Sequence, residues 1–433
     1  MKKSPNAADL LIMRAGDDDD LRTRLLARPK ETIEQELGVT MAEDHEVHVH
    51  EETVGATHIV LPPRGRYTRE EREEARTGAS SLAFLRKTMY DPAPPLRPPG
   101  DGAGRVPDSD AGAEVLAEAG TESVRRGLDF LESTIDEHGA WHCIRFNVAD
   151  PKVPRHFERP PFISAFCALA LESCREAKAR SICAATRAYL ADTIEYPGFW
   201  RYYRHLPLDL DSTALCSLVI GSHPWILLGR NVPRILANRD GAGRFTTWML
   251  EGNEPDVVSR FRIEADPVVN ANVIAWFGDC PETRDAQQWL EALITEGNLK
   301  DASKWYPDEI SICYAVARAV RRVSPAMDRL RPVLADRVLD LMDDEGGFGN
   351  VLQTAQAMST LSDVECLERT DVKRPLRSIM SAQREDGSWP ELLAFGDQML
   401  KFGAVGQIGH GSEAVTTAFC IEALERLAAC LRT

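Results

Sequence analysis

Residues 383–389 read Gln383-Arg384-Glu385-Asp386-Gly387-Ser388-Trp389, and the run over 416–424 that follows is apolar on nearly every side. A glycine free to take positive φ can close a helix, and the aromatic two residues later then falls onto the next packed element. The same punctuation recurs upstream as Gly139-Ala140-Trp141, Gly198-Phe199-Trp200, Gly241-Ala242-Gly243-Arg244-Phe245, Trp305-Tyr306-Pro307 and Gly346-Gly347-Phe348. The copies stand roughly 40 to 60 residues apart, the range in which repeat architectures live. After each comes a segment marked by a small hydroxyl or amide residue, in most copies beside Ala: Ser164-Ala165, Thr213-Ala214, Asn270-Ala271, Ser311, Thr354-Ala355 and Thr417-Ala418.

A helix that is apolar all round must lie between neighbours, so these segments predict six inner helices. Outer helices are expected at about 121–135, 181–195, 225–237, 285–296, 328–343 and 372–384. The fold class that results is all-α, a single (α/α)6 barrel over residues 118–433. Inner helices that all run the same way bring their N-termini to one mouth. The positive ends of their dipoles meet there, which makes that mouth the natural place for a site.

Ahead of the barrel, residues 1–79 form a unit of their own. Leu21, Leu25 and Leu26 make one helical face, Thr32, Ile33 and Leu37 a second, and Gly38 closes the pair. Residues 45–50 alternate at period two and 57–61 are β-rich, so a small α+β domain is expected. Pro92, Pro94, Pro95, Pro98 and Pro99, then Gly100, Gly102, Gly104 and Gly112, mark residues 80–117 as a linker.

Composition narrows the function classes. The chain has 433 residues and a formal net charge of −16, with no Lys/Arg stripe to offset it, which disfavours nucleic acid and anionic membrane as partners. No apolar stretch approaches the roughly 20 residues of a spanning helix, and the cytoplasm is the expected address. The ten cysteines are scattered without a CxxC pair and read mostly as reduced core residues. His48 and His50 share one face of the alternating run, where surface polarity explains them better than metal binding. No metal or cofactor is expected.

The pair Asp209 and Asp211, in Asp209-Leu210-Asp211-Ser212-Thr213-Ala214, carries two readings. Two carboxyls at close quarters cannot both ionise cheaply, so one can be kept protonated as a general acid. Alternatively, Asp at the start of an inner helix is a favoured N-cap, contributing about 1 kcal/mol. Aromatic residues cluster at the repeat junctions: Phe199, Trp200, Tyr202 and Tyr203 just before the pair, and Trp276, Phe277, Trp305, Tyr306, Trp389, Phe395 and Phe402 elsewhere. They are candidates to line a cavity and face a cation, or to pack the repeats.

Residues 383–389 resemble the QW repeat of squalene-hopene cyclases and the wider prenyltransferase and squalene oxidase repeat family, with weaker copies at 136–141, 195–200 and 343–348. This family's barrel hosts several activities. Residues 209–214 are similar to the DxDD-T-A signature of class II terpene cyclases, with Ser212 in place of the final Asp. That resemblance implies protonation-initiated cyclisation of an isoprenoid without a metal, Asp211 as the acid and Asp209 tuning it. Protein prenyltransferase β subunits have an Asp-x-Cys zinc pair and lanthionine-forming cyclases a Cys-His-Gly motif. Neither occurs in the barrel region.

Residues 21–63 resemble the nitrile hydratase leader peptide family at Leu25-Leu26, Pro29, Glu36-Leu37-Gly38 and Leu61-Pro62-Pro63. The implication is a leader-bearing barrel recognised by a maturation enzyme or peptidase-transporter of ribosomal natural-product (RiPP) biosynthesis, and exported. Gly78-Ala79 then marks either a leader cleavage site after Ala79 or an ordinary helix cap.

Overall fold

The computed structural model describes residues 11, 14–15, 18–43, 45–50, 91–92, 97, 106–108, 110–150, 152, 155–203, 206–221, 223–250, 264–344, 346–397 and 408–432. Near the N-terminus lie two short helices, α1 (Asp19–Ala27) and α2 (Pro29–Leu37). Asp18, within the acidic run 17–20, caps α1 by accepting from the N–H groups of Asp20 and Leu21. Pro29 opens α2, and Gly38 at φ 65° closes it. Leu21, Leu25 and Ile33 pack together, whereas Leu26 is exposed.

The barrel follows as α3 (Ala113–Thr134), α4 (Pro161–Ala170), α5 (Ala177–Thr193), α6 (Leu210–Ile220), α7 (Pro224–Leu227), α8 (Val232–Ala237), α9 (Pro267–Phe277) and α10 (Arg284–Glu296). It closes with α11 (Glu309–Arg322), α12 (Leu330–Leu339), α13 (Val351–Asp363), α14 (Lys373–Ser381) and α15 (Glu413–Leu431). Helices α4, α6, α9, α11, α13 and α15 each pack on the next, and α15 returns to α4, so the inner ring is shut. The outer layer is α3, α5, the broken pair α7 and α8, α10, α12 and α14. This is the (α/α)6 barrel that the repeat spacing implies.

One polar device joins outer to inner layer. The backbone N–H of the turn aromatic donates to the small polar side chain of the following inner helix: Trp141 to Ser164 at 3.2 Å, Trp200 to Thr213 at 3.1 Å, Phe245 to Asn270 at 2.9 Å, Phe348 to Thr354 at 3.3 Å and Trp389 to Thr417 at 3.1 Å. In three repeats the indole N–H also donates to a C-terminal carbonyl of the preceding outer helix, Leu131, Leu190 or Ile379. Groups left without helical partners at the ends of two layers are thereby satisfied. The Trp305-Tyr306 repeat departs from the rule, because Tyr306 N–H donates to Ser303 instead of Ser311.

The small sheet is not where the alternating run suggested. Residues 45–50 form no strand, and 57–61 and 67–79 lie outside the described residues. Five antiparallel strands instead belong to the barrel: β1 (Asp91–Pro92), β2 (Cys143–Asn147), β3 (His156–Glu158), β4 (Leu393–Asp397) and β5 (Ile408–Gly411), in the order β1-β3-β2-β5-β4. Residues read as linker are built in as well. Asp91–Pro92 pairs with β3, Arg97 bonds Glu413 and Asp386, and α3 begins at Ala113. All ten cysteines are free thiols, most of them buried. Among the described residues, no helix is long and apolar enough to cross a membrane.

Candidate functional site

At the N-terminal ends of the inner helices lies a cavity of about 280 Å³, walled by aromatic rings and by side chains from the sheet. Asp209, Asp211, Tyr202, Tyr203, Trp305 and Tyr306 all line it, so sequence positions far apart meet here. Phe395 joins them, together with Phe162 and Trp248, which the sequence reading passed over. Trp248 and Trp305 meet edge to face at 5.7 Å.

The expectation that Trp200, Trp276 and Trp389 line a cavity is corrected. Trp200 and Trp389 are fully buried in the repeat turns, their indoles satisfied by outer-helix carbonyls. Trp276 sits at the far end of α9 and packs at a tilt against Phe277, ring centroids 4.6 Å apart. Aromatics that follow a repeat glycine are consumed by interlayer packing, so only those outside that register are free to face the lumen. Phe402 lies outside the described residues.

The two aspartates divide the roles that the sequence left undecided. Asp209 is the N-cap of α6. Its Oδ1 accepts from Ser212 N–H at 2.7 Å and its Oδ2 from Tyr202 N–H at 2.7 Å. Asp211 stands in the first turn and takes no part in the cap. Its Oδ1 accepts from Asn272 Nδ2 at 2.8 Å and its Oδ2 from the Tyr306 hydroxyl at 2.7 Å.

Burial pushes the Asp211 carboxyl up to about 6. The Tyr306 and Asn272 bonds pull the other way, and the charge of Asp209 adds to the rise. Asp209 is likewise pushed up to about 6 by burial, against its backbone donors. A third carboxyl, Asp266 at the N-cap of α9, reaches about 7. Burial leads there, the Ser303 bond opposes it, and the charge of Asp211 raises it further. At these helix starts, loss of water outweighs the helix dipole.

Asn272 fixes the orientation of this group. Arg318 Nη1 donates to Asn272 Oδ1 at 3.3 Å. A guanidinium has no acceptor, so the amide oxygen must face Arg318 and the NH₂ must face Asp211. Oδ1 of Asp211 is therefore always an acceptor, and a proton on this carboxyl sits on Oδ2, beside Tyr306. Beneath Arg318 the lumen is filled by Tyr314, Glu422, Arg426 and Asp363 in a bonded ionic cluster.

Another part of the cavity wall comes from the sheet. Arg145 is paired in register with His156 and with His410, Cys143 with Glu158, and Phe395 with His410, so period-two geometry puts these side chains on one face. Arg145, Glu158, Phe395 and His410 line the cavity. Glu158 Oε2 accepts from the Tyr202 hydroxyl at 3.1 Å and lies 3.1 Å from His410 Nε2. Its Oε1 lies 3.6 Å from Arg145. Burial pushes the Glu158 carboxyl up, but the His410 bond and charge, with Arg145 and Tyr202, hold it below the usual range.

Asn272, Asp266, Glu158, Arg145 and His410 have no motif in the sequence. A faint signal exists for Asn272, which stands two residues after the repeat Asn270. Asp266 is a helix cap ahead of Pro267, and Glu158, Arg145 and His410 lie on strands of three to five residues, too short to show a period.

No protein-family model and no curated protein matches the sequence. Solved structures do. A variant of the type II terpene cyclase MstE from Scytonema, in complex with its product merosterolic acid A, matches with a TM-score of 0.57 at 16% identity, covering 73% of this chain and 99% of that one. Another MstE variant, in complex with its substrate geranylgeranyl dihydroxybenzoate, gives 0.55 at 16% identity, with the same coverage. A protein from Actinoplanes gives 0.55 at 17%, covering 72% of this chain and 99% of that one. The likeness is one of fold.

Proposed function

We propose that this barrel is a class II terpene cyclase, in which Asp211 protonates an alkene or epoxide of an isoprenoid and so starts its cyclisation. The observation that carries the reading is a buried carboxyl whose proton is confined to one oxygen at the wall of an aromatic cavity. So weak a base as an alkene needs an acid kept neutral and away from water until the proton moves. Burial supplies the first condition for Asp211, and the nearby Asp209 charge adds to it.

Asp209 holds the start of α6 and the Tyr202 backbone in place, while Tyr306 and Asn272 aim the acid. Once the proton has moved, the positive charge lies on carbon. Tyr202, Tyr203, Trp248, Trp305 and Tyr306 line the cavity, and a ring face turned to the cation would stabilise it by up to about 2 kcal/mol when desolvated. The steps draw on side chains alone. Geranylgeranyl-length substrates are favoured over triterpenes, because the type II cyclase MstE matched over 99% of its length is crystallised with a geranylgeranyl compound.

The test is incubation with geranylgeranyl and other polyprenyl compounds, followed by product analysis. Asp211→Asn is expected to lower turnover by about 10²- to 10⁴-fold, the usual share of a general acid. Equal product from wild type and variant would remove Asp211 from the mechanism. Among the described residues, no contact favours the leader-bearing alternative, in which a maturation enzyme or peptidase-transporter handles residues 1–79. Leu21, Leu25 and Ile33 belong to a cluster that packs on Leu227 and Leu228 of the barrel wall.

A further inference from the structure

We propose that Glu158, on the sheet wall of the cavity that Asp211 also lines, is the base that ends the reaction and the anion that holds the last cation. The inference rests on the cyclase reading. Four observations carry it. Glu158 lines the same cavity as Asp211 but comes from a different element, β3, and is 3% exposed. Its Oε2 is occupied by Tyr202 and His410, whereas Oε1 meets Arg145 only at 3.6 Å, beyond hydrogen-bond distance, and keeps its lone pairs. The rings of Phe162, Tyr202 and Phe395 stand together beside it, Phe162 and Phe395 at 4.9 Å and Tyr202 and Phe395 at 5.9 Å, a surface for a delocalised cation. Finally, the environments of the two carboxyls push them apart, Asp211 toward the neutral acid and Glu158 toward the carboxylate, the pattern that separates acid from base in one site.

The step balances within the substrate. A C–H bond on the carbon next to the cationic centre breaks, its electron pair becomes the new C=C, and the proton goes to Glu158 Oε1. The product is an isomer of the substrate, with one proton received from Asp211 and one surrendered to Glu158. A proton on carbon beside a cation is strongly acidic, so a carboxylate of depressed basicity suffices. Arg145 tempers the negative charge, and Tyr202 ties the two poles together, its N–H on Asp209 and its O–H on Glu158.

Two experiments on the full chain test this. In calorimetric titration with N,N-dimethylfarnesylamine, a cationic isoprenoid, Glu158→Gln is expected to weaken binding about tenfold or more and Arg145→Gln to tighten it, while both bind neutral farnesyl methyl ether as the wild type does. An unchanged amine affinity in Glu158→Gln, or a weakened one in Arg145→Gln, overturns the proposal. Should Glu158→Gln fail to fold, the sign of the Arg145→Gln effect still decides. With a turned-over polyprenyl substrate, Glu158→Gln is expected to keep consuming it while the product shifts from one alkene to water-trapped alcohols or mixed alkenes. An unaltered product profile also overturns the proposal. Because the amine titration needs no turnover, an inactive wild type would sink the cyclase reading and with it the base role, while the titration would still decide whether Glu158 holds a cation.

Discussion

Asp209, Asp211 and Asp266 are three buried carboxyls at two neighbouring helix starts; the charge of Asp209 raises Asp211, and that of Asp211 raises Asp266. They titrate as a set. An unfolded aspartate titrates near 3.9, whereas these reach about 6, 6 and 7 in the fold. Between those values the folded chain keeps protons that the unfolded chain has released. Their contribution to stability is therefore full below about pH 4 and is lost as pH rises through 6 to 7. Thermal unfolding followed across pH 4 to 8 should show that slope, and Asp266→Asn should flatten it. Turnover should fall in the same direction, as pH rises through about 6 and Asp211 loses its proton. Asn272→Ala removes a donor that favours the carboxylate, so this limb of the pH-rate profile should move to higher pH. The same change takes the acceptor from one buried Arg318 N–H and should cost about 1–3 kcal/mol in chemical denaturation.

Five of the six repeats are held by a turn glycine, an aromatic and a small polar residue on the next inner helix. Gly387 shows how little freedom the turn has. Its φ is 86°, and a Cβ there would stand 2.2 Å from the Arg126 carbonyl oxygen. Gly387→Ala should therefore destabilise the barrel by more than about 2 kcal/mol, while Gly241→Ala, with nothing within 4 Å, should stay within about 0.5 kcal/mol. Equal denaturation midpoints for the two would refute this account of the turns. Thr213→Val keeps the shape but strands the Trp200 N–H, at about 1–3 kcal/mol. The element that breaks the pattern is the Trp305-Tyr306 turn. Freed from the usual bond to the inner helix, it delivers Tyr306 to Asp211 and Trp305 to the cavity.

Across the whole molecule, the helix pair over 19–37 rests on the outer wall through Leu227 and Leu228. Leu228→Asp should speed hydrogen exchange of the amides in 19–37 and leave those of α13 protected, since the inner ring does not touch that contact. Protection lost equally in both would mean that the pair and the barrel open as one unit. The barrel itself was legible in the chain, because a repeat advertises itself at fixed spacing: glycine, aromatic and small polar residue each answer a local backbone need, and local needs leave local patterns. Asp211 was legible for a similar reason, as a second acidic residue at a helix start that needs only one cap. Which aspartate does the capping, which aromatics line the lumen, and that Glu158, Arg145 and His410 share a cavity with Asp211 at all were decided by the tertiary structure. Those facts depend on strands of a few residues contributed by opposite ends of the barrel, Glu158 and His410 standing 252 positions apart, and on which groups are cut off from water. Neither has a period for a sequence to show.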